Sequence, residues 1–216
     1  MQVIPAKTPD FVKSLFPNLV WNITTNNKEL YLTFDDGPTP EITVWVLDIL
    51  RQYNAKATFF CIGNNIEKHP KLFSKVIDQG HAIGNHTFNH LKGWRHTTKN
   101  YIKDVVRTES LIDSFHTDHS ENYRKFFRPP YGKFKVKQSK KLQELGYNII
   151  MWDVLSYDWD SSIKAEDCLK NVISSAKAGS IVVFHDSIKA YKNLQYTLPE
   201  VLEYYTTRGY TFKALY

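Results

Sequence analysis

Short runs of apolar and β-branched residues alternate along the chain with longer segments whose apolar positions recur at helical spacing. Seven such runs predict β-strands over residues 30–34, 56–62, 81–84, 125–127, 147–152, 180–184 and 210–213. The segments between them predict helices over residues 41–53, 64–79, 97–115, 134–145, 163–178 and 193–207. Several helices end at a glycine just before the next strand, a common helix terminator: Gly80, Gly146, Gly179 and Gly209.

This alternation predicts an α/β domain with a mainly parallel sheet, either closed as a barrel or open and doubly wound. In both architectures ligands bind beyond the carboxyl ends of the strands. Polar clusters follow five of the predicted strands at that position, at residues 35–36, 85–90, 128–131, 153–159 and 185–186. We therefore expect all five clusters on one face of the sheet, where they would form an active site.

Length and composition predict a single domain. The chain has 216 residues, of which 42% are hydrophobic and 23% are charged, so residues 30–216 can bury a core of their own. Residues 1–29 show no clear period, and we expect them to form an N-terminal extension packed on the barrel. Two cysteines far apart in the sequence, Cys61 and Cys168, do not indicate a disulfide framework.

Charge and hydropathy limit the partners. The formal net charge of +6 favours anionic partners such as cell-wall polymers, but no block of Lys and Arg with interleaved aromatic residues indicates nucleic-acid binding. The first residues lack the basic head and apolar run of a signal peptide, and no stretch of about 18 apolar residues predicts a membrane span. We expect a cytoplasmic monomer without a membrane span.

Two adjacent carboxylates end the first predicted strand, in the segment TFDDGP at residues 33–38. Because side chains alternate along a strand, Asp35 and Asp36 share a site only if the chain twists into a loop between them. The Asp-Gly-Pro sequence also suits an ordinary turn. A functional role therefore depends on what other segments bring to the same place.

The segment GNHTFNH, residues 84–90, places two histidines four residues apart directly after the third predicted strand. His86 and His90 can bind one metal ion, and Asp36 would complete a set of two histidines and one carboxylate with open positions for water and substrate. The ligand types alone fit Zn²⁺, Fe²⁺, Co²⁺ and Ni²⁺. Zinc metalloproteases have a glutamate after the first histidine, whereas Thr87 stands here, so the base must come from another segment.

Further candidate residues follow the later strands. Arg128 and Tyr131 lie in FFRPPYG, residues 126–132, where two prolines give a rigid exit from the strand. His185 ends the strand IVVFH, and a histidine beside a carboxylate makes an acid of adjustable pKa. The segment at residues 151–159 supplies Asp153, Asp158 and Trp159. Taken singly, each residue also has a structural explanation.

Taken in order, the segments TFDDG, HTxxH, RPPY, DW and FHD resemble the five motifs of the polysaccharide deacetylase family, the NodB-homology carbohydrate esterases that act on chitin oligomers, peptidoglycan or acetylxylan. The resemblance extends from about residue 30 to residue 213. It implies a deformed (β/α)7 barrel, in agreement with the seven predicted strands. It also implies a metal-dependent hydrolase, with Zn²⁺ expected, that removes N-acetyl groups from a polymer or oligomer containing N-acetylglucosamine.

The resemblance implies a role for each candidate residue. The implied metal ligands are Asp36, His86 and His90. The implied proton carriers and their supports are Asp35 as the base, Arg128 beside it, His185 as the acid and Asp158 beside it. The implied substrate contacts are Tyr131 through a backbone N–H to the oxyanion, and Trp159 with Val183 as walls of an acetyl pocket.

Two positions depart from the family pattern. Leu155 stands where the fourth motif commonly has Asp, and Val183 stands where the fifth commonly has Leu. Neither change removes a metal ligand or a proton carrier, but Leu155 alters its loop and therefore the expected substrate preference. Two alternatives stay open: hydrolysis of another amide or ester, such as acetylxylan or a small cyclic amide, and glycan binding without catalysis. The intact metal and acid–base set favours an enzyme.

Overall fold

The computed structural model describes residues 5–115 and 124–216. Within these ranges the strands are β1 (Glu29–Asp35), β2 (Thr58–Cys61), β3 (Ala82–Asn85), β4 (Phe126–Phe127), β5 (Asn148–Ile149), β6 (Val154–Leu155), β7 (Ile181–His185) and β8 (Thr211–Phe212). The helices are α1 (Asp10–Leu15), α2 (Ile42–Gln52), α3 (Gly63–Lys68), α4 (Pro70–Asp78), α5 (Thr98–Asp113), α6 (Val136–Glu144), α7 (Ala165–Ile173) and α8 (Tyr191–Thr206). The first four residues of the predicted extension, and residues 116–123 of the predicted domain, lie outside the described residues.

The strands form one parallel sheet. Seven of them lie side by side in the order β5-β4-β3-β2-β1-β7-β6, and β8 pairs with the start of β1. The edge strands β5 and β6 are neighbours in sequence: Ile150 donates its N–H to Phe127 of β4, and Asp153 donates its N–H to Ile181 of β7. The sheet therefore curves into a half-barrel, which confirms the predicted single α/β domain of the deformed (β/α)7 type.

Strand β1 lies at the centre of the sheet and is buried on both faces, as expected for a parallel strand covered by helices. Leu30, Leu32 and Phe34 belong to the main core, where the ring of Phe34 stacks between Phe59 and Phe184 at centroid distances of 5.0 and 5.9 Å. The alternate positions point the other way, into the barrel, and deliver Asp35 to its carboxyl end.

The N-terminal extension is hydrogen-bonded to the segment that joins the two edges of the sheet. Val20 pairs with residues 149 and 151, Thr8 donates its N–H to the carbonyl of Asp153, and Ala6 accepts the N–H of Leu155. The extension also contains α1, a helix of six residues that is too short to show a period in the sequence.

Asp153 is a correction to the predicted active-site cluster. Its buried carboxylate accepts hydrogen bonds from Lys7 (2.6 Å), Lys13 (2.5 Å) and the hydroxyl of Ser180 (2.5 Å). Burial alone would raise the pKa of Asp153, but these hydrogen bonds, the one from Lys13 first, hold it below its usual range. The sequence showed that a carboxylate follows a strand, but it could not show the direction of the side chain. In the structure the side chain of Asp153 points to the N-terminal extension.

Three elements differ from the sequence prediction. The helix predicted over residues 64–79 is two helices, because the residue before a proline avoids helical angles and His69 has φ −130° and ψ 54°. Helix α7 ends at Ile173 rather than at residue 178. At this end the hydroxyl of Ser174 donates to the carbonyl of Lys170. Strand β6 was not predicted.

No helix of the described ranges is long and apolar enough to cross a membrane.

Candidate active site

The turn after β1 brings two adjacent carboxylates to one place. β1 ends at Asp35, and Asp36 adopts a φ of 83°, so the chain leaves the alternation of the strand at this point. Both side chains consequently line a cavity of about 580 Å³ beyond the carboxyl ends of the strands. Two adjacent acids can share a site only if the chain turns between them in this way.

Eight of the ten predicted site residues line this cavity: Asp35, Asp36, His86, His90, Tyr131, Trp159, Val183 and His185. The other two lie buried behind its wall, where Arg128 contacts Asp35 and Asp158 contacts His185. The polar clusters that follow β1, β3, β4, β6 and β7 therefore converge, apart from Asp153.

Asp36, His86 and His90 form a group that fits a metal ion. One ligand atom from each residue lies within 4.8 Å of the other two. Oδ1 of Asp36 is 3.2 Å from Nε2 of His90 and 3.7 Å from Nε2 of His86, yet among the described residues this buried oxygen has no hydrogen-bond partner. A buried acceptor that faces two imidazole nitrogens is the arrangement expected of ligands around one cation.

The protonation states of His86 and Asp36 also suit metal binding. Burial lowers the pKa of His86 to about 4, so the ring is neutral at pH 7. Nδ1 of His86 lies 2.8 Å from the carbonyl of Arg128, which places the proton on Nδ1 and leaves the Nε2 lone pair toward Asp36. Burial alone would raise the pKa of Asp36, but the neighbouring histidines, His90 first, hold it below its usual range. The carboxylate is therefore ionised.

The histidine loop is held by side chains that follow β3. Thr87 has a φ of 64°, its N–H donates to Oδ1 of Asn85, and its hydroxyl accepts the N–H of Leu91. Asp104 of α5 accepts the N–H groups of Phe88 and Asn89. Asn85 and Asp104 thus support the loop between the two histidines, a role that the sequence did not show for Asp104.

Arg128 is fully buried beneath Asp35. Its guanidinium donates to Oδ1 of Asp35 at 2.7 Å, to the hydroxyl of Thr33 and to the carbonyls of residues 150 and 151. The ring of Phe60 lies 4.1 Å from its central carbon. Burial lowers the pKa of Arg128, and the charge of Asp35 opposes this, so the guanidinium stays charged. The carboxylate of Asp35 is held in a fixed orientation by this contact.

His185 and Asp158 form a second pair at the cavity, where His185 ends the strand next to β1. Nδ1 of His185 is 2.9 Å from Oδ1 of Asp158, and Oδ2 of the same carboxylate accepts the backbone N–H of His185 at 2.7 Å. Burial alone would lower the pKa of His185, but the charge of Asp158 and its hydrogen bond raise it to about 9. His185 is therefore a cation at neutral pH. The ring of Trp159 lies 4.8 Å from the imidazole.

Asp186 belongs to the predicted cluster at residues 185–186, but it is buried and does not line the cavity. Its carboxylate accepts the N–H of Gly37 at 3.0 Å and the hydroxyl of Thr43 at 2.5 Å, and its own N–H donates to the carbonyl of Asp35. Burial raises the pKa of Asp186 to about 8. A Cβ on Gly37 would collide with this carboxylate, so the turn requires glycine. Asp186 thus holds the turn that presents Asp36.

Comparison with known proteins places this site in a family. The family model for polysaccharide deacetylases matches residues 22–150. The chain belongs to the polysaccharide deacetylase family. A peptidoglycan-N-acetylglucosamine deacetylase of Bacillus cereus is 33% identical over 196 residues, which are 90% of this chain and 89% of that protein. A chitooligosaccharide deacetylase of Azorhizobium caulinodans is 31% identical over 164 residues, 76% of each chain.

The length of the relatives varies. The chain spans 57% of a second Bacillus cereus peptidoglycan-N-acetylglucosamine deacetylase, at 36% identity, and 38% of one from Listeria monocytogenes, at 32% identity. The crystal structure of a peptidoglycan N-acetylglucosamine deacetylase aligns with a TM-score of 0.85 and 31% identity over 96% of this chain and 95% of that one. A pseudoenzyme from Bacillus anthracis shares the fold at 22% identity over 90% of this chain and 66% of that one, with a TM-score of 0.79.

The rim of this deacetylase-family site contains residues that the motifs did not indicate. Aromatic side chains of Trp94 and Trp152 line the cavity together with three lysines, and Leu155, one of the two departures from the family pattern, lies in its wall. The exposed ring of Tyr131 packs 4.7 Å from His90 and 5.6 Å from Trp94, and its φ of 60° turns the chain at the rim. Neither tryptophan stands in a motif, so only the folded chain reveals them.

Proposed function

We propose that the protein is a metal-dependent deacetylase that hydrolyses the N-acetyl group of N-acetylglucosamine in an oligosaccharide or polysaccharide of the chitooligosaccharide or peptidoglycan type. One observation carries this proposal. Asp35 and His185 are paired in register on the adjacent strands β1 and β7, and both line the same cavity as the three candidate metal ligands. A base, an acid and a cation site at one cavity are the groups that amide hydrolysis requires.

Asp35 would act as the general base. A divalent cation held by Asp36, His86 and His90, with Zn²⁺ our first choice, would polarise the acetyl carbonyl and acidify water. Arg128 holds one oxygen of Asp35 at 2.7 Å and balances its charge, so the carboxylate keeps one orientation. Asp35 takes the proton as water attacks the carbonyl carbon.

His185 would act as the general acid. Its Nδ1–H donates to Asp158, which leaves the Nε2–H as the proton that passes to the departing amine. The raised pKa keeps this proton in place at neutral pH. We further propose that the backbone N–H of Tyr131 donates to the oxyanion, a contact typically worth about 3 kcal/mol, and that Trp159 and Val183 enclose the acetyl group.

The rim favours a sugar over a small amide. The rings of Trp94 and Tyr131 are 37% and 49% exposed and stand edge to face beside the cavity. Exposed aromatic rings provide apolar faces with polar tips, and such faces stack on pyranose rings. A small cyclic amide has no pyranose ring to stack on these faces.

Acetate release tests the function. The substrates are N-acetylated chitooligosaccharides, peptidoglycan fragments and acetylxylan, each with added Zn²⁺, Co²⁺ or Ni²⁺. Asp35→Asn should keep the metal content and lose turnover, because it changes the base and no ligand. His86→Ala should lose both. Asp48→Asn, which changes an acid on the surface of α2, is the matched control. An Asp35→Asn protein of wild-type activity, or acetate released only from acetylxylan, would refute the proposal.

A further inference from the structure

Three lysines surround the cavity and are referred to as the rim lysines: Lys92, Lys133 and Lys189. They come from three different loops, after β3, β4 and β7. Lys189 also lines an adjoining groove together with Lys68 of α3, and this groove shares Asp36 and His90 with the cavity. Positive charge therefore borders the site on several sides.

The rim lysines lack a close carboxylate partner among the described residues. In residues 5–115 and 124–216, none of the three forms an ion pair with a carboxylate within 4 Å. The carboxylates among the described lining residues are Asp35 and Asp36, and these already face Arg128 and the histidines. The carboxylate of Asp160 interacts with Lys189 at longer range than an ion pair. Ammonium groups without a carboxylate within 4 Å still attract anions from solution.

Aromatic rings hold two of these ammonium groups at the rim. Nζ of Lys92 lies 5.2 Å from the ring centroid of Tyr131, and Nζ of Lys133 lies 5.7 Å from the ring centroid of Trp94. Such cation–π contacts favour positions over the ring faces. A sugar that stacks on these rings would therefore bring its substituents close to the lysines.

We propose that the rim lysines bind carboxylates of the substrate, so that the preferred substrate is an anionic amino-sugar polymer with carboxylates on the sugars next to the one that reacts. The effect that this inference predicts on kcat/KM rests on the proposed deacetylation. N-acetylglucosamine itself is neutral, so a chitin oligomer offers these lysines no counterion. A polymer in which alternate sugars carry a lactyl carboxylate offers one on either side of the reacting acetyl group.

The test compares two tetrasaccharides of equal length and shape. Both contain N-acetylglucosamine alternating with a sugar that carries a lactyl group, and in one of them the carboxylates are amidated to remove the charge. The triple variant Lys92→Gln, Lys133→Gln and Lys189→Gln is compared with the control Lys103→Gln, Lys140→Gln and Lys170→Gln. The control removes the same charge from exposed positions on α5, α6 and α7 that do not line the cavity.

For the wild type, we expect kcat/KM to be higher on the charged tetrasaccharide and to fall with added salt. One exposed lysine–carboxylate contact is worth about twofold to fivefold, and the charged tetrasaccharide carries two carboxylates, so the triple variant should lower the ratio of kcat/KM, charged over amidated, by about fourfold to 25-fold. The control should keep the wild-type ratio. Equal losses on both substrates, or an unchanged ratio in the triple variant, would overturn the inference.

Binding separates this inference from the proposed function. The dissociation constants of the two tetrasaccharides are measured by calorimetry for the same three proteins. If the wild type prefers the charged one through the rim lysines but releases no acetate, deacetylation fails and the anionic preference stands. If acetate is released while the wild type binds the two tetrasaccharides equally, the anionic preference fails and deacetylation stands.

Discussion

Replacement of Asp158 by Asn removes a charge and keeps the shape of the side chain next to His185. In the wild type the carboxylate raises the pKa of His185 to about 9 from an ordinary value of 6.5, against the effect of burial. This difference corresponds to about 3 kcal/mol of preference for the protonated ring. In Asp158→Asn we expect a lower pKa of His185, because burial still lowers it and the largest opposing charge is gone.

The direction of the pH effect follows from the role of His185 as an acid. Activity is present while His185 is protonated and is lost as pH rises through its pKa, so the variant should lose activity at a lower pH than the wild type. At pH 8 a group of pKa 9 is about 90% protonated, and each unit by which the pKa falls below 8 lowers the protonated fraction about tenfold, so we expect a loss of about tenfold or more in kcat at this pH. At pH 6 the two proteins should differ much less.

The assay is a profile of kcat against pH from 5 to 10 at constant metal loading, with Asp160→Asn as the control. Asp160 lies in the same loop, but its side chain bonds to Ser162 and not to His185. A bound cation lowers the pKa of His185 in all three proteins, so the shift between them is the measured quantity. If the alkaline limb of Asp158→Asn coincides with that of the wild type, the assignment of His185 and Asp158 as an acid and its support is wrong.

Two further substitutions test the residues that position the site and the extension. Asp186→Ala removes the acceptors of the Gly37 N–H and the Thr43 hydroxyl, and by analogy with other residues that orient metal ligands it should weaken Zn²⁺ binding about tenfold or more in a metal titration. The surface variant Asp78→Ala should bind normally, and equal affinities would contradict the role of Asp186. Asp153→Ala leaves Lys7 and Lys13 without their buried partner and should cost about 3 kcal/mol of unfolding free energy in urea, at the low end for a buried pair because both lysines can turn toward solvent. Asp48→Ala, which breaks a surface pair with Arg51, should cost less than about 1 kcal/mol, and a similar small effect at Asp153 would contradict an anchoring role.

The sequence predicted those parts of the structure that depend on local pattern. Leu30, Leu32 and Phe34 form a continuous apolar strand with two carboxylates at its end, and such strands separated by helices already imply a parallel sheet with its site at one edge. The order of the motifs then brought residues that are far apart, such as Asp36 and His185, into one predicted site.

What the sequence could not show depends on direction and on partners distant in the chain. Asp153 and Asp158 lie in one segment, yet one carboxylate bonds to the N-terminal extension and the other to His185. The edge strand β6 pairs with β7 and the extension, and neither contact has a local signal. The rim lysines lie outside all five motifs, so only their convergence in the folded chain distinguishes them from the other lysines of the surface.

The register of β1 and β7 has a consequence for redesign. Asp35 and His185 lie opposite each other on hydrogen-bonded strands, so the spacing of their backbones, about 4.8 Å, is a property of the sheet. Lys92, Lys133 and Lys189 belong instead to loops, which tolerate exchange. Grafting loops from other members of the family should therefore change which glycan is accepted while it leaves the distance between base and acid as it is.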